Sequence, residues 1–334
     1  MLKADSFKKT LFETTADSFT QKALALVAYQ AENNPIYRQY LDCLRVDYRD
    51  IQHIEQIPFL PIEFFKYHAI ISGDSSTEKT FESSGTTGES RSKHHVADLA
   101  FYEGLSERIF AELYGNLTEY HILALLPSYL ERDTSSLVYM VSHFIRVSQS
   151  AHSGFYLGNI PELLQKLNYL QKNSSRKILL IGVTFALLDL AEQYAPDLSK
   201  VIVMETGGMK GRRREMLRAE VHAILRKGLN IQAVHSEYGM TELLSQGYSQ
   251  ADETFACPPW MRVLLREVND PFAIDDTLRI GAVNVIDLAN IDSCAFIATQ
   301  DLGTIIGDNQ FQILGRMDNS DIRGCNLLFE PAVF

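Results

Sequence analysis

Apolar and polar positions change their period along the chain. Between residues 19 and 31 apolar side chains recur at helical spacing with no breaker, and the pattern stops at Pro58 and Pro61, just before Phe64, Phe65 and Lys66. Residues 1–75 therefore predict a helical lead-in. From 76 to 254 short apolar runs alternate with longer amphipathic ones. The spans 120–126, 177–181, 200–204 and 231–235 predict strands; 97–113, 160–171, 185–194 and 212–226 predict helices. Such alternation indicates α/β layering around a partly parallel sheet. Past 255 the helical period fades, and 279–287, 295–299 and 311–314 read as β. This predicts a β-rich subdomain over 255–314 and a short tail over 315–334. There is no internal repeat and no low-complexity segment.

With 334 residues and 46% hydrophobic composition, the chain can bury a large core. Its net charge of −11 argues against a polyanion-binding surface, so no nucleic-acid partner is expected. The most basic stretch, Lys210 to Arg214, reads as a solvated helix start. Four cysteines occur, Cys43, Cys257, Cys294 and Cys325, with no Cys-x-x-Cys pair. That disfavours a zinc site or a disulfide framework and fits a reducing compartment. The N-terminus lacks an apolar signal core, and no apolar run is long enough to span a bilayer. A soluble, cytoplasmic protein without membrane insertion is expected.

Candidate chemistry falls in four segments. Ser83 to Gly88 packs two glycines and four hydroxyl side chains into six residues. Glycine lets successive backbone N–H groups form a concave anion nest, and hydroxyls add donors around it. The alternative is a flexible Ser/Gly linker, and no Gly-Lys-Ser/Thr closes the segment as in a Walker loop. His235 to Glu242 follows a predicted strand, where ligands of α/β sheets usually bind. Tyr238 offers an aromatic face, Thr241 a hydroxyl and Glu242 a hard oxygen; an ordinary polar helix cap is the plainer reading. Asp301 falls in Thr299-Gln-Asp-Leu-Gly303, read as a tight turn after a strand. The run from Gly315 to Gly324 reads as a loop or hinge.

Taken in order, the four segments resemble the core motifs of the acyl-adenylate-forming superfamily, which includes acyl-CoA synthetases, adenylation domains and luciferases. Ser84-Gly85-Thr86-Thr87-Gly88 matches its phosphate loop and Tyr238-Gly-Met-Thr241-Glu242 its Tyr-Gly-x-Thr-Glu motif. Asp301-Leu-Gly303 matches Gly-Asp-Leu-Gly with Gln300 in place of the first glycine. Gly315-Arg316-x-Asp318 with Arg323-Gly324 matches the hinge motif. Within the superfamily, Leu60-Pro-Ile-Glu-Phe-Phe-Lys66, Leu126 to Arg132, Glu205-Thr-Gly-Gly208 and Arg323-Gly-Cys325 make the chain most similar to LuxE-type acyl-protein synthetases. The likeness runs from about residue 55 to 326.

The resemblance implies an α/β fold of the adenylate-forming N-terminal domain type, helix-flanked sheets plus a β-rich subdomain, with the C-terminal domain largely absent. It implies ATP and Mg²⁺ as cofactors. Ser84, Gly85, Thr86, Thr87 and Gly88 would hold the β- and γ-phosphates. Tyr238 would stack on adenine in a pocket lined by Gly207 and Gly208. Thr241 would contact the α-phosphate, Glu242 would bind the metal, and Asp301, with Arg316 nearby, would take the ribose hydroxyls. The expected reaction activates a carboxylic acid, expected to be a fatty acid, and passes the acyl group to a thiol. Cys325 is the candidate nucleophile, against a plainer reading as a packed strand residue; Cys43, Cys257 and Cys294 read as structural.

His235 is a candidate to face the acyl carbonyl or support Glu242, while His94 and His95 read as a surface pair. Ser128, Arg132, Ser135 and Ser136 form a polar loop that either lines the acyl pocket or is simply a loop. The phosphate loop runs on to Arg91 where the family usually has Pro-Lys, and no lysine follows Lys227, so either another cation, such as Arg323, replaces the family's C-terminal lysine or adenylation is weak. The expected partners are the small-molecule acid and an acyl acceptor, either a protein (reductase or carrier) or CoA. The alternatives are a carboxylate–CoA ligase and a non-catalytic nucleotide- or acyl-binding protein.

Overall fold

The computed structural model describes residues 2–317 except 75, 85–89, 127–133, 157, 209–212, 215 and 276. The chain opens with α1 (Ala4–Leu11), α2 (Ala16–Asn33), α3 (Pro35–Leu44), the short strand β1 (Leu60–Pro61) and the single turn α4 (Phe64–Tyr67). A hairpin of β2 (Lys79–Glu82) and β3 (Lys93–Val96) follows. Then come α5 (Leu99–Tyr114), β4 (Tyr120–Leu125), α6 (Ser136–Ser148), β5 (Gly154–Phe155), α7 (Ile160–Asn173), β6 (Lys177–Val183), α8 (Thr184–Gln193), β7 (Val201–Thr206), α9 (Arg218–Leu229) and β8 (His235–Tyr238). The rest is β: β9 (Gly247–Ser249), β10 (Phe255–Ala256), β11 (Met261–Arg266), β12 (Gly281–Asp287), β13 (Phe296–Gly307) and β14 (Gln310–Arg316).

Among the described residues one sheet holds 12 strands, in the order β11-β12-β13-β14-β10-β9-β8-β7-β6-β4-β5, with β1 alongside β13. The strands from β4 to β8 pair in parallel; β8 then meets β9 antiparallel, and the remaining main ladder is antiparallel. Every residue of β4 is buried, and β6 is buried after Lys177, as expected where helices cover both faces of a parallel sheet.

Four expected elements differ. Helix α6 covers a stretch read partly as loop, because its N-cap, Ser135, is a polar residue of that loop and accepts from the Val138 amide at 3.3 Å. The strand expected over 231–235 instead starts at His235, so His235 to Tyr238 is strand and the loop begins at Gly239. Asp301 is not in a turn: β13 runs through it to Gly307, with irregular register between Leu302 and Gly303, and Gly315 and Arg316 belong to β14. Local turn chemistry was overridden by pairing with β12 and β14. Helix α9 starts at Arg218, later than the basic stretch, from which Arg213 reaches Asp189 and Glu192 on α8.

Two buried polar side chains knit the halves together. Gln30 of α2 donates to the carbonyls of Asn290 (2.9 Å), Ile291 (3.2 Å) and Ser293 (3.1 Å) and accepts from the Ala295 amide at 3.0 Å. Asp287, at the end of β12, accepts from the amides of Leu244 (3.0 Å) and Ser245 (2.9 Å) and from the Ser245 hydroxyl (2.7 Å). These bonds fix the loop after β8 on the antiparallel half.

Candidate active site

The hairpin of β2 and β3 presents the glycine-rich segment at its open end. Its base is closed by the Ser83 amide on the Ser92 carbonyl (3.0 Å) and by the Ser92 amide on the Ser83 hydroxyl (3.0 Å). Ser84 is described; Gly85, Thr86, Thr87 and Gly88 lie outside the described residues. The hairpin docks on the loop after β8 through two contacts. His94 is buried, not surface as expected, and its Nδ1 sits 2.8 Å from the Thr241 carbonyl. Burial pushes the imidazole pKa down to about 4, the bond to that carbonyl opposing, so His94 is neutral and donates from Nδ1–H. The Ser92 hydroxyl donates to the carboxylate of Glu242.

Glu242 is buried, and its main-chain carbonyl accepts from Asn290 Nδ2 at 2.8 Å. Burial pushes its carboxyl above the usual range, while Ser92, its own amide and Arg316 pull the other way. Beside it the Tyr238 hydroxyl donates to Asp301 Oδ2 at 2.9 Å, and the Tyr238 ring packs edge-on against Phe311 with centroids 5.1 Å apart. Asp301 is the register partner of Arg316, whose Nε stands 3.8 Å from its carboxylate. The Arg316 side chain is 71% exposed, so this pair adds little stability; the guanidinium also donates to Gln300 Oε1 at 3.2 Å.

Thr241, Glu242, Tyr238, Asp301 and Arg316 are thus brought together with Ser92 and His94. Gly207 and Gly208 follow the end of β7, next to β8; Gly207 has φ +74°, a left-handed conformation that favours glycine. Beside them Glu205 is buried and takes bonds from Thr184 (2.7 Å) and Arg218. His235 stands apart. It lies at the opposite end of β8 from Tyr238, and its Nδ1 pairs with the Tyr114 hydroxyl at 3.0 Å. Cys325, Ser128 and Arg132 lie outside the described residues. Cys294 and Cys257 are wrapped by protein, and burial pushes the Cys294 thiol up to about 12 and the Cys257 thiol higher still, while Cys43 is exposed on α3.

Sequence reasoning missed Ser92, Glu237 and Thr206. Ser92 belongs to no motif, and only the pairing of β2 with β3 places it over Glu242. Glu237 carried a faint signal, a carboxylate inside an otherwise uncharged strand segment.

No protein-family model matches the chain, and no curated protein matches it in sequence. The fold does match solved structures. A 2-hydroxyisobutyryl-CoA ligase in its postadenylation state superposes with TM-score 0.65 at 12% identity, covering 95% of this chain and 72% of that one. An ATP-bound RpMatB–BxBclM chimera gives TM-score 0.53 at 15% identity, and apo MatB from Rhodopseudomonas palustris 0.51 at 16%. They are covered over 49% and 50% of their lengths, against 74% and 75% of this chain, so the chain spans about half the length of these two proteins. At such identities the likeness is one of fold, and the fold is the N-terminal domain type of acyl-CoA-synthetase-like, adenylate-forming enzymes.

Proposed function

We propose that this chain uses ATP to convert a carboxylic acid to an acyl-adenylate and passes the acyl group to a thiol. The observation that carries the reading is the joint between the two motif loops. Ser92 donates to Glu242 and His94 to the Thr241 carbonyl, so the β3 side of the hairpin is bonded to the loop after β8, with Tyr238 and Asp301 beside that joint. A loop rich in N–H and O–H donors suits polyphosphate. An aromatic ring next to a carboxylate that accepts hydroxyl donors suits a nucleoside.

Glu242 fits a magnesium site. It is a hard oxygen donor whose charge burial disfavours and a cation beside it would restore. Among the described residues no group of three or more His, Cys, Asp or Glu could hold a metal, which suits an ion that takes most of its ligands from phosphate and water. Magnesium would supply charge neutralisation on the phosphate oxygens.

In the first step the substrate carboxylate attacks the α-phosphorus, the bond to the β-phosphate oxygen breaks, and pyrophosphate leaves. Thr241 would donate to the α-phosphate, and Arg316 would balance its charge. In the second step a thiolate attacks the acyl carbonyl and AMP leaves, giving a thioester. Buried Cys294 and half-buried Cys257 are poorly suited as acceptors, because desolvation pushes both thiols well above their ordinary range and disfavours thiolate. The other acceptors are Cys325, the thiol the LuxE-type resemblance points to, the exposed Cys43 on α3, a partner protein's thiol or CoA. The LuxE-type reading draws on the Leu60–Lys66 segment, which touches both motif regions: Gln300 donates to Glu63, and the Ser90 hydroxyl donates to the Lys66 carbonyl at 3.0 Å.

The test is acid-dependent exchange of labelled pyrophosphate into ATP across a panel of carboxylic acids. Exchange is expected with at least one acid; its absence with all of them, together with no melting shift in millimolar Mg·ATP, overturns the reading. A hydroxylamine-sensitive acyl-enzyme that disappears in Cys325→Ala marks the acyl-protein route. Thioester appearing only when CoA is added marks the ligase route.

A further inference from the structure

A second polar cluster lies one residue before Tyr238, on the face of the sheet under α5. The register sets Thr206, Glu237 and Tyr248 side by side across β7, β8 and β9. All three are buried, and so is Gln246, just before β9. The Thr206 hydroxyl donates to Glu237 Oε2. Gln246 spends its amide on the Leu244 carbonyl at 2.8 Å. Among the described residues two polar atoms of the cluster have no hydrogen-bond partner, Gln246 Oε1 and the Tyr248 hydroxyl. No cation pairs with Glu237 among the described residues, and the nearest charge acting on it is another acid, Glu205. Gly239 also belongs to the cluster: a Cβ there would stand 2.3 Å from Glu237 Oε1 and 3.6 Å from Gln246 Cγ, so any side chain at 239 would displace that carboxylate oxygen. Aromatic rings close the far side, with Tyr114 and Phe110 of α5 at 5.7 and 6.1 Å from the Tyr248 ring.

Leaving a buried polar atom unsatisfied is costly, and two beside an unpaired carboxylate call for a ligand. With Glu237 ionised the acceptors outnumber the donors: the Glu237 oxygens, Gln246 Oε1 and the lone pairs of the Tyr248 hydroxyl, whose own O–H is the one donor among the unpartnered atoms, so a group that donates completes the cluster. Resting on the adenylation reading, which puts the substrate's carboxylate by Thr241 four residues further on, we propose that this cluster is the specificity subsite for the acyl part. The acid it selects carries a hydrogen-bond-donating group, a hydroxyl or an ammonium, received by Glu237, Gln246 and Tyr248. A plain fatty chain, the acid expected from sequence, would leave these groups unpaired. A site built to bond a substituent rejects the analogue that lacks it far more strongly than an apolar pocket rejects an extra methylene.

The test pairs straight-chain and benzoic acids with their hydroxyl- and amino-substituted counterparts, the substituent being moved along the chain or ring. Direct binding is measured by calorimetry and turnover by pyrophosphate exchange, on wild type, Tyr248→Phe and Glu237→Gln. In wild type at least one substituted acid is expected to surpass its unsubstituted parent by roughly 100-fold in kcat/KM and in Kd. Tyr248→Phe should cut that ratio at least about tenfold. Glu237→Gln keeps the shape but loses the charge, so it should cut the ratio for ammonium acids more than for hydroxyl acids; the pattern identifies which donor is native. Equal binding and exchange of substituted and parent acids, with ratios unmoved by either variant, overturns the proposal and leaves the cluster as a site for structural water only. Should Tyr248→Phe fail to fold, the Glu237→Gln ratios decide alone. Selective binding of substituted acids without exchange by any acid upholds the subsite and defeats the adenylation reading; exchange with parent acids alone does the reverse.

Discussion

Glu205 of β7 and Glu237 of β8 sit on neighbouring strands, almost equally hidden from water, and they are held in opposite ways. Register and alternation point them to opposite faces: Glu205 lies beside Ser236, and Glu237 beside Thr206. On the face of α8 and α9, burial pushes the Glu205 carboxyl up, but Arg218, His222, Thr184 and Ser236 outweigh it and hold the group below the usual range. On the face of α5, burial pushes Glu237 up to about 7, with one hydroxyl opposing. One face is a finished structural network; the other keeps its polar groups for something outside the protein. The difference follows from the cost of a buried charge, which must be met by partners in the fold or by a ligand.

The largest expected effect breaks the finished face. Glu205→Ala strands the Arg218 charge against the sheet and should cost about 3–5 kcal/mol, read as a lowered urea midpoint with little change in slope. A loss under about 1 kcal/mol would show that the two faces do not differ as described.

Glu237 should contribute a pH dependence instead. Its folded pKa of about 7 lies above its ordinary 4.5, so the fold favours the protonated acid. The stability it contributes is therefore fully present below the ordinary value and is lost as pH rises through about 7. The swing is on the order of 3 kcal/mol at most, from 1.36 kcal/mol per pKa unit. Urea midpoints of wild type relative to Glu237→Gln should fall between pH 5 and pH 8. A constant difference would place a cation beside Glu237 in solution.

Glu242 is a third buried carboxylate, bonded by Ser92 and acted on by the Arg316 charge, with no ion pair of its own among the described residues. Glu242→Gln should leave stability nearly unchanged while slowing adenylation roughly 100-fold or more, checked by pyrophosphate exchange across a magnesium titration. Unchanged exchange would move Glu242 to the structural side of the comparison. The smallest effect is expected at Tyr238→Phe, which takes the hydroxyl from Asp301 and keeps the ring against Phe311. About 1 kcal/mol of stability should go, with weakened ATP binding by calorimetry.

Local sequence carried much of the architecture because its signals are local. Apolar period marked α2, α5, α7, β4 and β6, and the parallel half follows from strands alternating with helices. Motif order was enough to suggest the adenylate-forming fold, since glycine, hydroxyl and acid residues at fixed spacing are a chemical pattern as well as a structural one. Residue types pointed to Tyr238, Thr241 and Glu242, and the family resemblance added Asp301 and Arg316; the fold gathers all five from β8, its following loop, β13 and β14.

What only tertiary structure decided is whatever depends on register and burial between distant segments. Asp301 read as a turn residue until β14 paired with it. His94 read as surface until the β2–β3 hairpin docked it on Thr241, 147 residues away. The three-residue row of Thr206, Glu237 and Tyr248 exists only because three strands align in one register. A strand's side chains reverse face with a one-residue slip, so no single segment could say which acid would be neutralised and which left waiting.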